Sequence, residues 1–210
     1  ANSQVWPTTD PQISRLASEL KTPRAIYNFV VDTLEYNLER VNQANTRYGA
    51  KQSLAQPQLA ACQEFTDLFI ALSRAAGIPS RELNGFGYSD NPELRPLSLV
   101  ADILHAWPEY YDSDANTWVQ IDPTWADTTG GQNYFDKLDT DHITFAIHGL
   151  DPRLPRPAGD YKLETGGQKD VLVSPGQQHP PQANKIEVNF HLPAQLLPFL
   201  PVKGSIDIKN

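Results

Sequence analysis

Apolar residues recur at helical spacing most clearly between Leu59 and Pro79. Phe65, Leu68, Phe69, Leu72, Ala75 and Ala76 fall on one face. Gly77 follows the last of them and Pro79 comes two later, which predicts a helix stop. Gln56-Pro57 upstream predicts a non-helical approach, so Cys62 is placed at or near the first turn. Two shorter amphipathic helices precede this one, after an irregular lead-in over residues 1–9. Asp10-Pro11 and Thr22-Pro23 each pair an N-cap with a proline at the first helical position. Ile13, Leu16, Ala17 and Leu20 form the face of the first. Ile26, Phe29, Val30 and Leu34 form that of the second, which is expected to end near Tyr36-Asn37. Residues 39–58 are polar without a clear period and are expected to form a long loop.

Downstream the period changes to that of strands. Residues 81–88, with two glycines, and the aromatic-rich run 103–111 are predicted strands, joined by a proline-containing connector. Pro108 within the second run predicts an edge or a bulge. A polar turn at 112–116 and a short strand at 118–121 complete a hairpin. This hairpin puts His105 on one strand and Asp122 at the end of its neighbour. Residues 143–147 are a further strand. Beyond Leu150 the composition shifts: nine of the 18 prolines fall in the last 60 residues. Within that stretch Ile186, Val188, Phe190 and Leu192 alternate with polar residues, and 205–209 reads as another strand. The expected organisation is a core domain over 1–160 and a Pro-rich extension with strands over 161–210, read as the start of a truncated β-domain or as two strands that pack back onto the core.

Charge and composition narrow the function classes. The chain has 210 residues, 17 Lys and Arg against 25 Asp and Glu, and a net charge of −8. An acidic chain without a long basic cluster lacks the electrostatic footprint of a nucleic-acid-binding protein. No apolar run has the length of a membrane span. There is no methionine, so the chain is expected to be a processed or excised piece of a longer protein, with an extracytoplasmic or cell-envelope location favoured. One cysteine excludes an intramolecular disulfide framework. No metal or cofactor motif stands out, and none is expected. Asp127, Asp136, Asp139 and Asp141 match no metal loop and are read as a solvated acidic face.

Cys62, His105 and Asp122 carry the candidate chemistry. The thiolate is the nucleophilic form of cysteine, and a thiol near its free pKa of ~8.5 is mostly protonated at neutral pH. An imidazole can take that proton. A carboxylate on the far ring nitrogen fixes its tautomer. A helix start adds N–H groups and a dipole that suit an anion. Glu64, early in the same helix, is expected to push the thiol pKa up. His142, His148, His179 and His191 are read as structural or solvated. The aromatic residues Trp107, Tyr110, Tyr111, Trp118 and Trp125 are read as core and cleft wall.

Three segments in order resemble the core motifs of the transglutaminase-like superfamily. The first is Cys62 with Phe65, Leu68, Phe69 and Leu72, followed by Arg74-Ala75-Ala76-Gly77-Ile78-Pro79-Ser80-Arg81. The second is His105-Ala106-Trp107 with Glu109-Tyr110-Tyr111, and the third is Trp118-Val119-Gln120-Ile121-Asp122-Pro123-Thr124. His142-Ile143 and Gly159 resemble the loosely kept end of the domain. The resemblance covers roughly residues 25–160. It implies an α+β, papain-like core with helices packed on an antiparallel sheet. It also implies Cys62 as nucleophile, His105 as base and acid, and Asp122 as orienting residue, acting on protein, peptide or other amide-bearing substrates through a thioester. Tyr36, upstream of the cysteine, is the candidate oxyanion donor. The chain departs from the pattern at Ala61, where glycine is common before the cysteine, and at Pro108. The alternative function is a non-catalytic or weakly active binding module of a larger surface or envelope protein.

Overall fold

The computed structural model describes residues 4–41, 47–89, 91, 105–155, 187–191 and 205–209. Two compact units are present, residues 1–172 and 173–210. The first begins with α1 (Pro11–Leu20) and α2 (Pro23–Thr33). Both starts follow the capping chemistry. The Asp10 carboxylate accepts from the N–H of Gln12 and Ile13, and the Thr22 hydroxyl accepts from Ala25. α2 stops at Thr33, short of Tyr36-Asn37, because Leu34 turns to extended backbone.

The expected loop over 39–58 is instead largely helical where it is described. It contains α3 (Leu38–Val41), α4 (Gly49–Ala55) and a 3-10 turn at Pro57–Leu59. Helices this short do not hold themselves in water. α4 is held by packing: Ala50 and Ser53 are buried, and the Ala50 N–H donates to Val5 O at 2.9 Å. Gly49, at φ +75°, allows the approach, since a Cβ there would lie 2.9 Å from Val5 Cα.

The central helix is α5 (Cys62–Ala75). Of its predicted face Phe65, Leu68, Phe69 and Leu72 are buried and Ala75 and Ala76 half-buried; Thr66, Asp67, Ile70 and Ser73 are buried on other sides. Helices α1, α2 and α4 pack against it, as does the sheet. Gly77, at φ +81°, ends it, with the Ile78 N–H returning to Ser73 O at 2.8 Å. Phe65, Leu68, Phe69 and Leu72 meet Ile13, Ile26, Val30, Tyr110, Ile121 and Trp125 in one core. Each fully buried side chain of this size contributes about 1.5–3 kcal/mol.

The sheet is antiparallel throughout, in the order β3-β2-β1-β4, with β1 Ser80–Gly87, β2 His105–Asp112, β3 Thr117–Gln120 and β4 His142–His148. The expected α+β class and the hairpin are therefore present. Pro108 lies in an inner strand, contrary to the edge expectation. Its carbonyl accepts from the Ile121 N–H at 3.1 Å, so its nitrogen faces the side on which β3 has ended. No ladder donor is lost there. In the second unit Glu187–His191 pairs antiparallel with Ser205–Lys209. The 160/161 boundary, His179 and Gly159 lie outside the described residues.

A buried ion cluster joins distant parts of the first unit. The Arg47 guanidinium pairs with Asp67 and with Glu82 (2.7 Å) and donates to Pro152 O at 3.0 Å. The Trp6 indole donates to Asp67 at 2.8 Å, which takes Trp6 into the core although residues 1–9 were expected to be irregular. His148 Nδ1 lies 3.1 Å from Glu82. Burial raises Asp67 to about 7 despite Arg47. Burial also opposes ionisation of Glu82, but Arg47 and His148 outweigh it and hold its pKa down.

Candidate active site

Cys62 is the first residue of α5 and is 5 % exposed. Ala61 precedes it at φ −117°, ψ −179°. This is extended backbone open to any L-residue, so the turn into the helix has no conformational need for glycine. Glu64 reaches back to the Ala61 N–H at 3.0 Å, accepts from the Tyr48 N–H at 3.0 Å and pairs with Arg40. Its charge is thus largely met at the helix start. Burial pushes the Cys62 thiol up to about 12. The Ala106 N–H, on β2, opposes this, while the charges of Glu64, Asp122 and Glu82 add to it. At the helix start, loss of water thus opposes the preference of the dipole for a thiolate.

His105 opens β2, the residue before the one whose N–H meets the thiol. Its ring stacks with Trp107, centroids 5.5 Å apart, and with Trp125, 5.2 Å apart. Its Nε2 donates to Asp122 Oδ2 at 2.8 Å. Gly87 on β1 leaves room for this stack: a Cβ there would fall 2.8 Å from Trp125 Cζ2 and 3.3 Å from His105 Cδ2. Gly87→Ala is expected to destabilise the protein by about 1–3 kcal/mol. It should also turn the His105 ring, which tryptophan fluorescence and a melting curve would report together.

Asp122 is fully buried. It is more than the turn residue that Asp-Pro suggests, because it is the N-cap of α6 (Pro123–Thr128), a helix not foreseen from the sequence. Oδ1 accepts from the N–H of Thr124 at 2.8 Å and of Trp125 at 3.1 Å. Oδ2 accepts from His105 and, at 3.1 Å, from His142 Nε2. Burial alone would raise this carboxyl, but the two histidines outweigh it and hold it well below the usual range.

His142, read with the other three as structural or solvated, has a buried side chain bonded at both ring nitrogens. Its side chain is 1 % exposed, and Nδ1 bonds Asp139 at 2.9 Å while Nε2 bonds Asp122. Burial disfavours its charge, yet the bonds to Asp122 and Asp139 raise its pKa to about 9. The available signals were His142-Ile143 at the domain's end and the Asp139-x-x-His142 spacing. His148 belongs to the ion cluster, and His191 pairs with Asp207 across the strands Glu187–His191 and Ser205–Lys209 at 2.9 Å. His105, Asp122 and His142 bring three possible ligand atoms within 4.8 Å of one another. The hydrogen bonds already account for that spacing.

Tyr36 is half-buried, bridges to Ala60 beside the cysteine, and donates its backbone N–H to Asp127 at 3.1 Å. Burial raises its hydroxyl, and the charges of Cys62, Asp122 and Glu64 raise it further, so it stays a neutral donor. The acidic run does not form one solvated face. Asp127 meets Tyr36, Asp136 pairs with Arg24, and Asp139 holds His142.

The profile of the transglutaminase-like superfamily matches residues 8–123. This is more than half of the chain, and the protein belongs to that superfamily. Among solved structures it is similar to a candidate cysteine protease from Cytophaga hutchinsonii, with 23% identity and a TM-score of 0.46, over 59% of this chain and 40% of that one. It is also similar to the periplasmic domain of TgpA from Pseudomonas aeruginosa, with 23% identity and a TM-score of 0.41, over 61% of this chain and 50% of that one. The chain spans half or less of the length of these structures. Among curated proteins none matches. No helix of the described residues is long and apolar enough to cross a membrane.

Proposed function

We propose that residues 1–160 form a thiol-dependent amide acyltransferase or hydrolase, with Cys62 as nucleophile, His105 as base and acid, and Asp122 as the orienting carboxylate. The observation that carries this reading is the 2.8 Å bond from His105 Nε2 to the buried Asp122, with the Cys62 thiol meeting the N–H of Ala106, the next residue of β2. With Nε2 committed to the carboxylate, Nδ1 is the nitrogen left for the thiol proton. The thiol proton passes to His105 as sulfur attacks the amide carbonyl. The amine leaves with a proton from His105, and the acyl group stays on sulfur as a thioester. Water, or a second amine, then attacks the thioester and regenerates the thiol. Hydrolysis is favoured, since no amine channel is apparent among the described residues. The N–H groups at the start of α5 and the Tyr36 hydroxyl are the proposed donors to the oxyanion. The substrate is a protein, peptide or other amide, met outside the cytoplasm.

The second reading, a binding module without turnover, draws on one observation, the burial of Cys62 and its raised pKa. Alkylation separates the two. Iodoacetamide should label Cys62 in the native protein, followed by mass across pH, and His105→Ala should suppress the labelling. Labelling that appears only in denaturant would establish the binding module instead.

A further inference from the structure

We propose that His142 is a positioning residue for the acid–base pair: it shares Asp122 Oδ2 with His105 and fixes both the aim and the effective charge of the carboxylate on which the base depends. This rests on the reading of Cys62, His105 and Asp122 given above.

The hydrogen bonds of Asp122 account for its whole capacity. A carboxylate offers about four acceptor sites. Two N–H groups of α6 take Oδ1, and two imidazoles take Oδ2. Without His142, Oδ2 would be held by His105 alone, the group it is meant to steer. His142 is itself fixed from two sides. Its backbone pairs with Gly87 of β1, and its Nδ1 is bound by Asp139, which also accepts the Asp141 N–H at 3.0 Å.

The same geometry sets the charge. Both ring nitrogens of His142 face carboxylates, which only accept hydrogen bonds when ionised, so both must carry hydrogen and the ring is an imidazolium. The titratable groups around it are Asp122 at the start of α6, Asp139 in the segment before β4, and His105 of β2 with ring centroids 5.6 Å apart. The rings of Trp107 and Trp125 lie at 4.9 and 4.4 Å. A fixed cation here offsets part of the charge of Asp122 and favours negative charge on sulfur. The Cys62–His105 pair is thereby reactive at lower pH than a lone carboxylate would allow.

The test compares the native protein with His142→Gln and Asp139→Asn. The rate of Cys62 alkylation is followed from pH 5 to 10 (the range that spans histidine titration) beside a melting curve. Glutamine keeps a donor to Asp122 but removes the charge. Its profile should move up by about one pH unit, which is about ten-fold slower labelling on the acid limb. Asp139→Asn should move it in the same direction by less. A folded His142→Gln variant whose midpoint stays at the native value overturns the inference, even if its rate or melting temperature falls, because a merely structural role would give that result. If His142→Gln does not fold, the Asp139→Asn midpoint decides in the same way. Native protein whose Cys62 labels independently of His105 would overturn the proposed function, and this inference with it. A native profile that needs His105 but ignores His142 overturns this inference alone.

Discussion

Cys62→Ala is expected to remove amide turnover down to background, a loss on the order of 10⁴-fold or more, while leaving the fold in place. The other groups at the site can orient a substrate and polarise its carbonyl. None of them replaces the sulfur that carries the acyl group. Cys62→Ser should be nearly as inactive. A hydroxyl is harder to ionise than a thiol, and the surroundings already oppose a buried anion at this position. The cost in stability should be small, because the side chain is short and meets the Ala106 backbone N–H. The measurement is turnover of a peptide or glutamine-amide panel beside a melting curve. Retained turnover in Cys62→Ala would refute the thioester route outright.

The second large effect is expected far from the chemistry. Arg47→Met keeps the approximate length of the side chain but leaves Asp67 and Glu82 without their shared cation. Breaking a buried ion pair by removing one partner costs about 3–5 kcal/mol. In a chain of this size that lowers the melting temperature by roughly 10 °C. The pH dependence has a definite sign. Without Arg47 both carboxyls bind protons more tightly in the folded state than in the unfolded one. The variant therefore recovers stability relative to the native protein as pH falls, and loses most above about pH 7, where Asp67 is driven to ionise even with Arg47 present. Denaturation at pH 5 and pH 8 checks this. An equal loss at both would mean that packing, and not charge, is what Arg47 supplies.

The sequence made the site legible where local rules act on their own. Proline-led caps placed α1 and α2, a glycine stop placed the end of α5, and an aromatic-rich run, a polar turn and a short strand placed the hairpin that brings Asp122 to His105. The α+β fold was implied by the resemblance of the three motifs to the transglutaminase-like superfamily. What stayed hidden depends on contacts between residues far apart in the chain. α4 is held by Val5, Trp6 is buried because Asp67 accepts its N–H, and Pro108 is tolerated inside the sheet because β3 stops early. None of these has a local pattern. His142 was missed for a related reason. A histidine in an alternating strand looks ordinary until the sheet register sets it against a carboxylate contributed by the start of another element. The sequence also places Cys62 at a helix start, but it does not show the burial that opposes the dipole's preference for an anion there.

Asp122 does two jobs with its two oxygens, closing the first turn of α6 and holding the imidazoles. Fraying of that turn and misalignment of the base are consequently one event. The amides of Thr124 and Trp125 are protected only while the carboxylate is in place, so their hydrogen-exchange rates measure how often the site is out of register. A helix of six residues thereby reports how often the two histidines lose their shared carboxylate.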